Sequence, residues 1–484
     1  MKIYNSLSKT VEEFKPIDDK KVVMYVCGLT PYDHAHIGHT RTYIAFDILK
    51  RYLMKKEYSV YHIQNITDVE DKIINRCKET GAKPLELTEK FHNEALELFD
   101  GLRILRADVY PKVTEHIQDI IKTIQTLIQK GHAYETETGI YFDVGSFKEY
   151  GKLSGQKTDE MESGARIGID KTKRSPLDFA LWKKEEGGLL EFDSPWGKGR
   201  PGWHIECSSM SLKYAKRETL DIHGGARDLI FPHHENEIAQ SEGETGKQFS
   251  KYWMHTGFLT VNGEKMSKSL GNFVTLKDAM EKFDSNSIRF FFAQTHYRSP
   301  VDYDENKIKA SGEAVEHVFN SLDSISGALK SGKDDFSDER LREEIKKAKL
   351  SFYEAMDNDM NTPDALAALF KLVKMANTNT NTEKIDYAAL GDLEKETKEI
   401  LWILGLEKIE MDLDSKKSDI EKIAVEFKGK TGTSEEMLEQ LIDLREKARK
   451  EKDFKKSDDI RNKLGEIGIK LEDNKEKARW KLVN

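Results

Sequence analysis

Residues 22–68 switch twice between two kinds of apolar spacing, and that alternation restricts the fold more than any other stretch. VVMYV (22–26) is a short, β-branched-rich run. TYIAFDILKRYL (42–53) then sets Ile44, Ile48 and Tyr52 on one helical face, and YSVYHIQNITD (58–68) returns to strand-like spacing. Strand, loop, helix, strand is the βαβ unit of a parallel nucleotide-binding sheet, whose ligands gather at the carboxyl ends of the strands.

The first loop, PYDHAHIGHT (31–40), holds three of the chain's 14 histidines. At a helix start the unpaired N–H groups and the helix dipole favour an anion. Gly38 lets a phosphate or base approach the main chain closely, and His36 and His39 can donate to phosphate oxygens as charge develops. Two helix-start histidines can also make ordinary hydrogen bonds, but His-Ile-Gly-His in this setting favours a polyphosphate cradle. No Gly-x-x-x-x-Gly-Lys-Ser/Thr loop occurs, which argues against the usual kinase and ATPase route.

At 484 residues the chain is too long for one core, and about 150 residues per domain suggests three or so. With 38% hydrophobic and 34% charged residues it reads as globular, and no apolar run approaches the roughly 18 residues of a membrane span. The start, MKIYNSLSKTVEEF, has no apolar signal core, so the cytoplasm is expected. Cys27, Cys77 and Cys207 are odd in number and widely spaced, which suits a reducing compartment rather than a disulfide framework. The formal charge is −9, yet residues 441–484 carry 14 Lys and Arg against 10 Asp and Glu. Such a basic end on an acidic body points to a localised polyanion contact, or to a solvated helical surface.

Downstream, LTVNGEKMSKSLGN (259–272) places Lys265 and Lys268 on a Gly-flanked loop after an apolar run, where two ammonium groups suit a leaving pyrophosphate. HIGH at 36–39 and KMSKS at 265–269, in that order, resemble the class I aminoacyl-tRNA synthetases letter for letter. Four further stretches, YVCGLTPYDHAHIGH (25–39), NITDVEDKI (65–73), RPGWHIECS (200–208) and DIHGGARDLIFPHHENEIAQ (221–240), resemble the cysteinyl-tRNA synthetases within that class. The similarity runs along essentially the whole chain.

The resemblance implies one Zn2+ per subunit, held at the positions matching Cys27, Cys207, His233 and Glu237. Spacing alone gives only that His233 and Glu237, four apart, would share a helical face. The metal would accept the sulfur of L-cysteine and so reject serine, making a hydrolytic editing domain unnecessary. Gly28, Thr67, Trp203 and His223 match positions around the amino acid, while His234 and Glu235 read as outer or surface groups and Cys77 as incidental. His36, His39, Lys265 and Lys268 would serve ATP, bound with Mg2+. The implied reaction makes cysteinyl-adenylate and then charges tRNA(Cys) through its 2′-OH. A paralogous ligase joining cysteine to an amino sugar is the nearest alternative.

The expected fold is α/β. A Rossmann-like parallel-sheet catalytic domain with an insertion precedes an α-helical bundle and a small mixed α/β domain. We assign 1–115 to the first catalytic half, 116–199 to the insertion, 200–245 to the second half, and 246–312 to the KMSKS loop and stem-contact region. The bundle takes 313–408 and an anticodon-binding domain 409–484. In the bundle Thr362 and Pro363 read as a helix start before Leu366, Leu369, Phe370 and Val373, and NTNTNTE (377–383) as a break. Thr433 and Glu436 form a capping box, and Arg445, Arg449, Lys456, Arg461 and Trp480 suit phosphate contacts and base stacking. Lys477 and Ala478 stand where relatives commonly have Gly-Thr, which separates this tail from the family pattern. A monomer is expected, with no membrane partner.

Overall fold

In the computed structural model the βαβ pattern becomes β1 (Lys21–Val26), α1 (Ile37–Lys55) and β2 (Ser59–Gln64). The structure describes residues 1–484 apart from 157–171, 267–270, 333–335, 381, 383, 409–412, 473–478 and 483–484. After the insertion the chain returns with α2 (Trp203–Ala215), β3 (Leu220–Ala226), α3 (Glu235–Thr245) and β4 (Ser250–Thr256). The four strands form one parallel sheet in the order β4-β3-β1-β2. Val22, Met24, Tyr25 and Val26 of β1 are all buried, as expected of an inner parallel strand covered on both faces.

The chain leaves β1 towards β2 on one side and comes back to β3 on the other, so the strand order reverses between β1 and β3. In open α/β sheets ligands bind at such a switch point, outside the carboxyl ends of the strands. Val26 registers with Gly224 there, and Cys27 N–H donates to the Gly224 carbonyl at 3.1 Å. The strand therefore ends at Val26, with Cys27 the first residue beyond it, inside the crevice.

Between β2 and α2 the insertion builds a four-stranded antiparallel sheet from Ala133–Glu135, Gly139–Phe142, Phe179–Lys184 and Gly199–Pro201. Phe142, Leu181 and Trp182 share an apolar cluster with Ile205, Met210 and Ala239, which fixes α2 and α3 from behind. A small sheet of Leu259–Val261, Glu264–Lys265 and Val301–Tyr303 carries the KMSKS segment.

The bundle is α4 (Glu305–Ser331), α5 (Glu339–Asp357), α6 (Thr362–Asn379) and α7 (Tyr387–Leu404). Two sequence readings shift here. The cap of α6 is Asn361, whose side chain accepts from Asp364 N–H at 3.2 Å, and Thr362 is already helical. Helix α6 also runs through Asn379, so the polar NTNTNTE stretch begins inside the helix, where Thr378 and Thr380 hydroxyls bond back to the carbonyls four residues earlier.

The chain divides into two compact units, Met1–Leu406 and Glu407–Asn484. In the second, α8 (Lys417–Glu426), α9 (Ser434–Lys450) and α10 (Phe454–Glu466) pack with the antiparallel pair β5 (Ile469–Glu472) and β6 (Arg479–Leu482) around Leu438, Leu441, Ile460 and Ile469. The Thr433–Glu436 capping box forms as read, with reciprocal bonds of 3.2 and 2.9 Å. Arg449 and Arg461 are exposed and Lys456 half-buried, but Arg445 is buried, so it is withdrawn from the phosphate-contacting set. Trp480 packs partly against the apolar core, and Lys477 and Ala478 lie outside the described residues.

Candidate functional site

Helix α1 begins at His36, whose backbone N–H donates to His39 Nδ1 at 3.4 Å. Burial, then the neighbouring His36 and Lys72, hold the His39 imidazole well below its usual pKa. A neutral ring that accepts at Nδ1 carries its proton on Nε2, which leaves His39 a donor. The His36 ring stacks on it with centroids 3.5 Å apart and meets Phe273 edge-on at 5.3 Å.

The second motif folds back onto the first. Ile37 N–H donates to the Val274 carbonyl at 3.2 Å, and Leu276 N–H to that of Ala35 at 2.8 Å. Met266 Cε lies 3.5 Å from where a Cβ on Gly38 would sit, and that Cβ would also crowd His36 Nδ1 at 2.9 Å. Glycine at position 38 thus leaves room for the His36 ring of the same motif, with Met266 at ordinary contact distance. Lys265 ends the strand Glu264–Lys265. Lys268 lies outside the described residues.

At the switch point Cys27, Cys207, His233 and Glu237 are all buried, and one ligand atom from each lies within 4.8 Å of the others. They come from the end of β1, from α2, and from the start of α3. A π-turn over Ile230–His234 precedes α3 and rotates His233 inward, putting its Nε2 3.0 Å from Glu237 Oε1. Trp203, 38% exposed, stacks on His233 at 4.3 Å, and His223 bonds Glu237 Oε2 at 2.8 Å.

His234 corrects the sequence reading. It is buried, its Nε2 is 3.3 Å from Cys27 Sγ, and with Cys27, His223 and Glu237 it forms a second ligand set within 4.8 Å. Glu235 is buried too and accepts from Gly151 and Ser154 N–H at 2.9 and 2.7 Å, tying the insertion to α3. The helix-face argument holds for His233 and Glu237, which meet at i and i+4; what it does not foresee is that the next residue, His234, faces a second buried element, the end of β1, where Cys27 sits. Cys77 packs with Ile73, Ile74 and Phe91, away from this cluster.

Several residues here escaped the sequence reading. Asn65 Oδ1 accepts from Gly28 N–H at 2.8 Å while its Nδ2 donates to Thr67 Oγ1 at 3.1 Å, so one amide ties the chain just past β1 to that just past β2. His204 Nδ1 is 2.9 Å from His233 Nδ1, and His255 Nε2 is 2.8 Å from His234 Nδ1. Tyr43 Oη donates to the Cys27 carbonyl at 3.2 Å. A signal existed for His255: a histidine directly after the apolar stretch YWM (252–254) of a strand.

The electrostatics favour a cation. Burial raises Glu237, but His223 and His233 outweigh it and hold the carboxyl down to about 2. Burial lowers His233, yet Glu237 and Cys207 raise it to about 10. A hydrogen bond from the Cys27 thiol lowers Cys207 to about 6, while burial pushes Cys27 well up. At neutral pH the cluster then holds a thiolate, a carboxylate, an imidazolium and a thiol, net −1. Replacing the protons on His233 and Cys27 by one divalent ion leaves that net charge unchanged. Two sulfurs, one imidazole and one carboxylate are also a zinc donor set, so the residues present fit the metal.

A helix start carrying His36 and His39 and the buried set Cys27, Cys207, His233 and Glu237 both lie at the switch point of a parallel sheet, the layout of a class I synthetase catalytic unit. The family model for the "tRNA synthetases class I (C) catalytic domain" matches residues 13–313, and that for the DALR domain residues 351–408. The cysteine-tRNA ligase of Thermococcus onnurineus is 46% identical over 100% of this chain and 99% of its own, and that of Clostridioides difficile 43% over 100% of each. The chain belongs to the cysteine-tRNA ligase family of class I synthetases. Among solved structures, Mycobacterium tuberculosis methionyl-tRNA synthetase in complex with methionyl-adenylate shares the fold at TM-score 0.58 and 15% identity, covering 79% of this chain and 89% of its own. The LeuRS of an Agrobacterium radiobacter ternary complex does so at 0.61 and 12%, covering 82% and 87%.

Proposed function

We propose that the chain activates L-cysteine with ATP and transfers it to tRNA(Cys). The carrying observation is the buried set Cys27, Cys207, His233 and Glu237 at the switch point, one helix start away from the His36–His39 pair. We assign Zn2+ to that set. When bound, it supplies a Lewis acid that prefers a thiolate to a hydroxyl.

The cysteine carboxylate attacks the α-phosphorus of Mg-ATP, a P–O bond breaks, and pyrophosphate leaves. The nucleophile is already ionised, so positioning and charge stabilisation do the work. His39, neutral with its proton on Nε2, donates to a phosphate oxygen, and His36 stacks behind it. Lys265 and Lys268 take up charge on the leaving pyrophosphate. Gly28, Thr67, Trp203 and His223 surround the amino acid, with Asn65 bracing the first two. In the second step the terminal 2′-OH attacks the acyl carbon and AMP leaves.

We retain the six-part division drawn from the sequence. Residues 409–484 would read the anticodon, and their exposed Arg449 and Arg461 support a phosphate-contacting role. That module is also what an amino-sugar ligase would not need. No helix among the described residues is long and apolar enough to cross a membrane. We take a cytoplasmic monomer as the working form. The test is product identification: with labelled cysteine and ATP, label should move to tRNA(Cys) and not to an amino sugar, and the reverse would replace this reading by the paralogous one.

A further inference from the structure

The KMSKS segment is tied down on both sides, and by different means. Past the motif, Ile37 N–H donates to the Val274 carbonyl and Leu276 N–H to that of Ala35, so the backbone of the first motif fixes that side directly. Before the motif the chain enters through the strand Glu264–Lys265, whose pairing is limited to Val261 with Glu264 and Thr260 with Lys265. So short a hairpin has little stability of its own.

Asn262 and Gly263 connect its strands with φ of 56° and 77°, the left-handed pair of a two-residue type I′ turn. In such a turn the ladder bonds use the flanking residues, which leaves the Gly263 N–H to find an acceptor elsewhere. It finds Asp302, on the neighbouring parallel strand Val301–Tyr303 and in register with Thr260. Asp302 Oδ1 accepts from Gly263 N–H at 2.8 Å and from Thr260 Oγ1 at 2.6 Å. One carboxylate oxygen therefore ties the tip of the hairpin and its first strand to a third strand. Bonds to an ionised acceptor are about twice as strong as neutral ones. The Thr260 hydroxyl, then the Gly263 N–H, hold the Asp302 carboxyl below its usual pKa, so it stays ionised at neutral pH.

We propose that Asp302 is a positioning residue for adenylate formation. By fixing the hairpin it sets where the Glu264–Lys265 backbone enters the KMSKS segment. It acts through Lys265 rather than on a substrate, and so rests on the phosphate role given to that lysine above. Misplacing a catalytic group by about 1 Å can cost on the order of 100-fold, which is why one half-buried carboxylate matters here.

ATP–pyrophosphate exchange by full-length variants separates this role from general stabilisation. Asp302→Ala should lower kcat about tenfold or more, with the KM for cysteine unchanged within about twofold. Asp302→Asn keeps an acceptor oxygen in place and should stay within about threefold of the unmodified chain. Unchanged kcat in Asp302→Ala, a matching rise in the KM for cysteine, or an Asn variant as slow as the Ala one overturns the proposal. Should Asp302→Ala misfold, Thr260→Val removes one of the two bonds and carries the test, with a several-fold loss of kcat expected and none overturning it. Hydrogen–deuterium exchange reads the anchor without any substrate. Peptides covering residues 259–266 should exchange faster in Asp302→Ala while those covering β1 and β3 stay as they were, and no change at the hairpin overturns the anchor. If the unmodified chain exchanges no pyrophosphate with cysteine, the function proposed above fails, and the hairpin peptides alone decide whether Asp302 is the anchor.

Discussion

In the metal-free cluster, Cys27 and Cys207 share one proton and His233 holds another, and both stand where a divalent ion would sit. Metal binding must displace them, so apparent affinity should rise with pH by at least tenfold per unit. The sign follows from the pKa directions: His233 is raised to about 10 and Cys27 well up, so both protons are present at pH 6 to 8, while Glu237, held to about 2, contributes none there. A competition titration with a pH-buffered chelator measures the slope, and a flat profile would remove these residues as ligands. Cys207→Ser should lose bound zinc and cysteine affinity together, because a hydroxyl is a poor replacement for a thiolate. Metal analysis showing full occupancy in that variant would strike Cys207 from the set. Lys268→Ala should slow adenylate formation by about 100-fold or more while barely changing cysteine binding, since its charge acts on the departing pyrophosphate. Equal losses in a pre-steady-state assay would count against that role.

Among the elements, α1 is the member that most other parts lean on. Its first turn carries the nucleotide motif, and its middle holds a fully buried pair, Asp47 with Arg289, whose Nε and Nη1 also reach the Leu404 and Leu102 carbonyls at 2.9 and 3.0 Å. Arg289→Met leaves Asp47 its bond from Arg51 Nε at 2.9 Å but strips the donor from two buried carbonyls, so it should cost about 1–3 kcal/mol, read by chemical denaturation. A cost under about 1 kcal/mol would show that the site relaxes or admits water. Short elements were legible wherever spacing was clean: β1, α1, β2 and the Thr433–Glu436 box all formed near their expected places. What stayed hidden was set by tertiary covering: His234 is buried against Cys27 at the end of β1, and no heptad or alternation argument foresees that.

At the scale of the whole molecule, the apolar core of Glu407–Asn484, built on Met437, Leu441, Ile460 and Leu464, shares no residue with the clusters of Met1–Leu406. A chain ending at Leu406 should therefore keep ATP–pyrophosphate exchange within a few-fold and lose tRNA charging, and loss of exchange in a folded truncation would contradict that separation. The ligand set itself was out of reach of spacing alone, because Cys27, Cys207 and His233 come from three segments that only the sheet's reversal of order brings together. The resemblance supplied the four residues, and the fold supplies the reason they meet. The measurement closest to the central claim is ATP–pyrophosphate exchange with cysteine and with serine, before and after zinc chelation, alongside metal analysis. We expect about one zinc per chain, exchange with cysteine alone at least 10⁴-fold over serine, and loss on chelation that added zinc restores. Metal-free protein that activates cysteine fully, or serine equally well, would contradict it.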